Sequence, residues 1–424
     1  MMNNHSKFLV CSIIISTLLL LFIQSCEENS VLMSDSSFNG EYRLDYSDLP
    51  SLKNSDKIRL GGFSALDYIG RGEFVTVTNS GPKLVQNNNE KKEVKYLVPE
   101  FEPEIVKLEL KDGEISIKDR IKMRSMFGNI YNGKPTQDYA SNKINVVNNS
   151  MSIEDQGIDP QAITFDQYSN SYWIGEQYYP GILQAAGRWG EGDKQKGNVL
   201  RQLKPYEGLR TVYENQIADG GISGLDLLNN KKMIGVFKKY LENKLNDTLE
   251  IYKDRRRLIQ LNPGKLSETP NLSGIYEVMD KSFDGVKPGD VKIGDIAVIN
   301  DTLCIVNEYG ETGSNKRNLL VKTVLPDSIW FAPQKEGIFG KAIETLTPHE
   351  LDSASLSPAV KREVVDLSTK MERPPSGIAI LPGNKVALLQ KNNYGLSHNF
   401  NDFNNYEVKE QDIVIKIERL DKMF

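Results

Sequence analysis

From about residue 40 onward the chain alternates short apolar stretches with polar turns, and five of these stretches repeat one pattern. Each has a Gly- or Pro-bearing turn, an apolar strand holding a small residue and often an acid, a second turn, and another apolar strand. Gly61–Asp67 (GGFSALD) leads to Phe74–Val77, Asp159–Thr164 (DPQAIT) to Ser171–Glu176, and Gly221–Asp226 (GISGLD) to Met233–Val236. Ile293–Val298 (IGDIAV) leads to Thr302–Val306, and Pro375–Ile380 (PSGIAI) to Val386–Leu389. Short polar links such as Pro382-Gly383-Asn384 are hairpin chemistry. Further alternating strands lie between, at Glu104–Leu110, Glu114–Ile121, Leu258–Asn262 and Ile413–Glu418, and no long amphipathic helix interrupts them.

Recurrent hairpins of this kind predict an all-β fold, a β-propeller whose successive blades have the repeated hairpins as inner strands. A sandwich would not repeat a Gly–small–acid signature. Five blades come from the hairpins, and a sixth is expected from Glu41–Leu44 pairing with the C-terminal strand around Val414, so that N- and C-terminal strands close the ring and remove its exposed edge. Loops inserted near residues 83–100, 122–155, 184–199 and 310–373 account for the wide blade spacing.

The N-terminus is patterned differently. His5 and Lys7 precede an apolar run from Phe8 to Ile23, followed by Cys26 and two glutamates. The run is shorter than the ~20 residues that span a bilayer, and Ile23-Gln24-Ser25-Cys26 resembles a bacterial lipobox. The expected organisation is a signal peptide over 1–25, a lipidated tether over 26–38 starting at an acylated Cys26, and a propeller over 39–424. Lipidation at Cys26 implies anchoring in the cell envelope, at the outer membrane of a Gram-negative bacterium, with the membrane as one partner.

Charge and cysteine content narrow the classes further. The 52 Lys and Arg against 57 Asp and Glu give −5, and loss of residues 1–25 removes one cation, Lys7, for a mature balance of −6. No general attraction to nucleic acid follows from that balance. Cys11 leaves with the signal peptide and Cys26 carries lipid, so Cys304 remains as a small core hydrophobe with no intramolecular disulfide to form. Stability must therefore come from core burial.

The hairpin segments, in their order and spacing from about Leu60 to Asn393, resemble the phytase-like family, described as having esterase-like activity. Its members carry recurring Gly-Leu-Ser-Gly-Leu-Asp, Asp-Pro-Glu-Gly-Ile, Phe-Glu-Gly-Leu and late Asn-Asn motifs. Here Gln161 replaces the glutamate after Asp-Pro, and Ser223 and Ser376 replace glutamates before Gly. The resemblance implies calcium held by carboxylates in the central channel, and three of those positions are neutral in this chain. Glu176, Asp295 and Glu308, at comparable hairpin positions, together with Asn392 and Asn393 remain as candidate ligands for a weak calcium site. For Glu176 and Asp295, channel lining and solvated surface are equal alternatives. Asp67 and Asp226 read as turn stabilisers.

Other candidate chemistry is sparse. No Gly-x-Ser-x-Gly elbow exists, and His349 and His398 are far apart in sequence, which leaves neither a serine-hydrolase triad nor a zinc pattern. Ser64, Ser223 and Ser376 recur at one repeat position, which favours hydrogen bonding within a blade. His398 follows Asn392-Asn393 closely enough to reach the channel mouth, and Gln161 sits where an acid is missing. Arg255 and Arg257, on one face of a strand by alternation, are candidates to grip phosphate; a solvated outer strand is the alternative. Trp173 belongs in the core, with Tyr172, Tyr178 and Tyr179 as candidate stacking surfaces.

Two functions follow from this reading. One is a metal-dependent hydrolase of phosphate or carboxylic esters, which the resemblance implies. The other is a non-catalytic surface module that binds a glycan, a peptide or a partner protein, which the neutral positions favour.

Overall fold

All five repeated segments fold as antiparallel hairpins, in the computed structural model that describes residues 38–424 apart from 54, 88–91, 137–143, 148–156, 188–195, 206–207, 210, 244–249, 267–270, 332–338, 340, 397–402 and 404–405. Turn chemistry sets the hairpin ends: Gly383 and Asn384, between paired Leu381 and Lys385, both take positive φ, which these two residue types tolerate.

Each hairpin extends outward into a four-stranded blade. The first contains Phe63–Gly70, Glu73–Thr78, Glu104–Lys111 and Glu114–Lys122; the second contains Pro160–Asp166, Ser171–Glu176, Gly181–Ala186 and Val199–Pro205. The third is Ile222–Leu227, Met233–Phe237, Arg255–Leu261 and Leu272–Glu277, and the fourth is Lys292–Asn300, Leu303–Thr312, Asn315–Val324 and Val360–Asp366. In the fifth, Gly377–Leu381, Lys385–Gln390 and Ile413–Arg419 are completed by Gly40–Leu44 from the other end of the chain, with Tyr42 opposite Ile415.

The five inner strands pack in sequence and the fifth returns to the first, so the chain is a closed β-propeller. Among the described residues the ring has five blades. The pairing of Glu41–Leu44 with the C-terminal strand forms as expected, but it supplies the outer half of the fifth blade instead of a sixth. The sequence offers only five inner hairpins, and a sixth sheet would have no inner strand. Part of the expected insertion 310–373 is likewise blade, since Asn315–Val324 and Val360–Asp366 are the outer strands of the fourth sheet. The insertions near residues 83–100 and 122–155 together build a small accessory sheet from Lys83–Asn87, Lys92–Tyr96 and Ile144–Val146.

Packing explains why the motif repeats. The small residue of each inner strand lets neighbouring strands approach near the axis: a Cβ on Gly224 would lie 2.6 Å from the backbone nitrogen of Ile296, and one on Gly377 would lie 2.4 Å from the carbonyl carbon of Ala65. Second strands are buried on both faces, as Ser171–Glu176 is throughout, because each blade is covered by its neighbours. Val77 and Ile105 of the first blade share a core with Ile163 and Trp173 of the second. Phe63 and Phe74 share another with Ala387, Ile415 and Tyr42, which seals the closing blade against the first. Cys304 is fully buried in the core between the third and fourth blades, as its sequence context predicts.

Candidate functional site

The axis of the propeller is occupied by carboxyl groups that bind backbone. Asp67 on the first inner strand accepts from Phe165 N on the second at 2.7 Å, and Asp226 on the third accepts from Val298 N on the fourth at 2.6 Å. Asp295 on the fourth accepts from Ile378 N on the fifth at 2.9 Å and from Ile296 N at 2.8 Å. Thr164 bridges Asp67 and Asp226 with its hydroxyl, at 3.2 and 3.5 Å. The acids thus fasten one inner strand to the next, a wider role than the turn stabilisation expected of Asp67 and Asp226. Burial raises all three: Asp67 to about 6, Asp226 to about 8 with Asp67 beside it as a second cause, and Asp295 well above the carboxylate range.

The five candidate calcium ligands are not brought together, and among the described residues no three His, Cys, Asp or Glu side chains are grouped as a metal would require. Glu176, buried at the end of its strand, accepts from Asp159 N, Tyr178 N and Tyr179 N at 2.9, 2.9 and 2.7 Å. Burial raises it to about 8 against those bonds. Glu308 lies between the third and fourth blades, where it accepts from Tyr276 Oη at 2.6 Å and from Met279 N, and pairs with buried Arg317 at 2.9 Å. Asn392 ties the end of the fifth hairpin to the first blade, donating to Leu60 O and accepting from Tyr394 N, both at 3.1 Å. Asn393 sits in a left-handed turn and reaches Leu396 O. For Glu176 and Asp295 the solvated-surface alternative falls away too, since both are 1% exposed.

Arg255 and Arg257 share a face as alternation predicts, but they are buried and occupied, which corrects both the phosphate-grip and the solvated-strand readings. Arg255 donates to Ile343 O and Leu346 O at 3.0 and 2.5 Å, and Arg257 pairs with Glu344 at 2.6 Å. Together they clamp the segment around residues 341–358 onto the third blade, because a buried guanidinium needs carbonyl and carboxylate partners in fixed geometry. His398 and Cys26 lie outside the described residues. Trp173 and Tyr172 are core, and Tyr178 is buried with its hydroxyl against Tyr96 Oη and Gly133 O.

Gln161 does face a polar site. It lies at a bulge in its inner strand and donates from Nε2 to Asp159 Oδ1 at 2.8 Å, while its Oε1 accepts from Lys238 Nζ at 3.3 Å. Lys238 also reaches Gln177 Oε1 at 3.4 Å and Asp219 at 2.7 Å. Three more ammonium groups converge on Asp219: Lys292 at 3.2 Å, and Lys92 and Lys239 at 3.9 Å each. Lys83 pairs with Asp159 at 2.9 Å and also donates to Ser80 Oγ. Lys391, directly after the fifth hairpin, feels Lys238, Asp159, Asp219 and Lys83 electrostatically, and its ammonium makes no hydrogen bond or ion pair among the described residues.

These groups stand where inner strands begin and second strands end, which is one mouth of the channel. Backbone bonds connect them: Lys238 N donates to Gly221 O and Ile293 N to Lys238 O, both at 2.9 Å. Ser223, at the bulge of the third inner strand as Gln161 is at that of the second, is 1% exposed with no protein partner for its Oγ. Ser64 and Ser376 instead bond carbonyls within their blades, Gly62 O and Leu389 O, as their repeat position suggests.

The electrostatics are lopsided. Burial opposes ionisation of Asp219, yet four lysines hold it well below the carboxylate range. One carboxylate cannot satisfy them all: burial, with the neighbouring cations, lowers Lys239 to about 7 and Lys391 to about 8. Such an arrangement can neutralise and hydrogen-bond an oxyanion, and among the described residues it contains no histidine base beside a nucleophile. Sequence reading missed it because the six lysines are spread from residue 83 to residue 391. The available signal was positional: Lys238 and Lys391 each directly follow the second strand of a repeated hairpin.

No protein-family model matches the chain, and no curated protein does. Among solved structures it is similar to the β-propeller domain of Cps50 (Swd1) from Myceliophteria thermophila, at 9% identity over 83% of this chain and 82% of that one, with a TM-score of 0.31. It is also similar to the PQQ-bound aldose sugar dehydrogenase of Streptomyces coelicolor, at 10% identity over 87% and 100%, with a TM-score of 0.32. Hydrazine synthase of Kuenenia stuttgartiensis matches at 8% identity over 77% and 79%, with a TM-score of 0.33. Similarity at this level carries nothing about ligand or chemistry, and the propeller assignment stands on the closed ring of inner strands.

Proposed function

We propose that this chain is a lipid-anchored propeller of the cell envelope, akin to the phytase-like proteins, that binds a ligand at its channel mouth and does not hydrolyse esters through a metal. One observation carries the reading: the acids available for a metal are dispersed, each committed to backbone amides or to a buried guanidinium. Calcium wants several oxygen ligands with enough negative charge among them. Here the channel mouth carries an excess of ammonium groups instead, and its one acid-to-amide change, Gln161, lies against Lys238. Anchoring through Cys26 would place this face in the envelope, where soluble ligands, glycans and other surface molecules meet it.

The test is metal content after purification, followed by turnover of aryl carboxylic and phosphate esters with and without chelator. Substoichiometric calcium and no chelator-sensitive turnover are expected. Stoichiometric metal together with turnover abolished by chelation would reinstate the hydrolase.

A further inference from the structure

We propose that the lysine-rich channel mouth is a binding site for an oxyanion, a phosphate, sulfate or carboxylate group, held by ammonium groups without a metal. The proposal rests on the binding-module reading and gives that module a ligand class.

The geometry supports it in three ways. First, among the described residues six lysines, Lys83, Lys92, Lys238, Lys239, Lys292 and Lys391, gather around two ion-paired carboxylates, Asp159 and Asp219. Like charges gathered at a recessed site repel strongly in a medium less polarisable than water, and an oxyanion relieves that repulsion while gaining charge-assisted hydrogen bonds. Second, the cations are reachable. Side-chain exposures run from 10% at Lys238 to 32% at Lys292, so the cluster is recessed but open to solvent. Third, it contains uncommitted polar groups. The ammonium of Lys391 has no hydrogen bond or ion pair among the described residues, and Ser223 Oγ, buried at the bulge of the third inner strand, has no protein partner. The lowered position of Lys239 accords with this: burial first, and then its lysine neighbours, outweigh Asp219 and ease the loss of its proton.

Roles divide by partner. Lys238 and Lys292 lie closest to Asp219 and form the rigid wall, whereas Lys239, which meets Asp219 only at 3.9 Å and donates to Ala218 O at 3.2 Å, and Lys391 keep charge for an anion. Lys391 directly follows the second strand of the fifth blade and Lys239 lies just after that of the third.

The experiment is isothermal titration of the full chain in mild detergent with inorganic phosphate, inorganic sulfate and glucuronate, at low and at raised sodium chloride. Saturable binding is expected that weakens at least tenfold with salt. Lys391→Met and Lys239→Met should each lower affinity about tenfold, while Lys118→Met, at an exposed pair with Glu109 on an outer strand, should leave it unchanged. Binding of phosphate or sulfate alone would mark a free inorganic anion as the ligand; tighter binding of glucuronate would mark a sugar-borne carboxylate. If Lys391→Met fails to fold, Lys391→Arg keeps the charge and should keep binding, and Lys239→Met still tests the site. No saturable binding of any probe, or unchanged affinity in both lysine variants, overturns the proposal. That result in a protein without chelator-sensitive turnover leaves the binding-module reading intact, whereas chelator-sensitive turnover removes that reading first.

Discussion

Replacing Arg317 by Met tests whether Glu308 is part of the fold or belongs to a ligand site. The Arg317 and Glu308 side chains are both 0% exposed and lie 2.9 Å apart. Arg317 also donates twice to Asp284, at 2.7 and 2.8 Å, and to the carbonyls of Met279 and Asp280. Without the guanidinium, Glu308 keeps Tyr276 Oη and Met279 N among the described residues, and it becomes a buried charge with no ion pair, Arg256 and Lys361 acting on it only through space. Removing one partner of a buried pair costs about 3–5 kcal/mol. A fold of about 390 residues, at ~2.1 cal/mol/K per residue, has an unfolding entropy near ~0.8 kcal/mol/K, so Tm should fall by about 4–6 °C. Glu308→Gln alone should cost less, because Arg317 keeps Asp284. The double variant should recover at least about 1–2 kcal/mol relative to simple addition, measured by urea unfolding of all four proteins. An Arg317→Met variant within about 1 kcal/mol of the parent, or strictly additive changes, would refute the buried-pair account.

Acid pH should favour the ring. Asp226 stands at about 8 in the folded protein, above its ordinary value, so its stabilising contribution is complete below the usual carboxylate range and is lost as pH rises through about 8. Between those limits it takes up to about 1.4 kcal/mol per pH unit from stability, and Asp226→Asn should flatten the measured slope; an unchanged slope would place the titration elsewhere. Deleting Ile413–Phe424 removes the strand that joins Lys385–Gln390 to Gly40–Leu44, so the whole propeller should unfold at a lower temperature in one transition. A truncated protein that melts like the parent would contradict closure. Added calcium should leave Tm unchanged, because only a ligand bound by the folded state raises it, and a concentration-dependent rise would point to a metal site. Cys26→Ala should abolish detergent-phase partitioning, and unaltered partitioning would exclude lipid attachment there.

The five hairpins were legible in the sequence because an inner strand must bury both faces, place a small residue where its neighbours approach, and turn on Gly, Asn or Pro. Closure by the two chain ends was legible as well, from two apolar strands with no other partner. Blade number was not: whether Glu41–Leu44 founds a sheet or finishes one depends on which edge it meets, and that edge exists only once the ring has formed. The acids show the same division. Sequence placed Asp67, Asp226, Asp295, Glu176 and Glu308 at hairpin positions, but their partners are backbone amides of the next blade, nearby turn amides or, for Glu308, Arg317. The lysine cluster is the extreme case, six cations from distant segments, five beside the same ends of the blades and Lys92 brought in by the accessory sheet. Alternation and turn residues act over a few positions and can be read along the chain, whereas charge at a channel mouth is summed across blades, and only the closed ring decides which residues contribute to that sum.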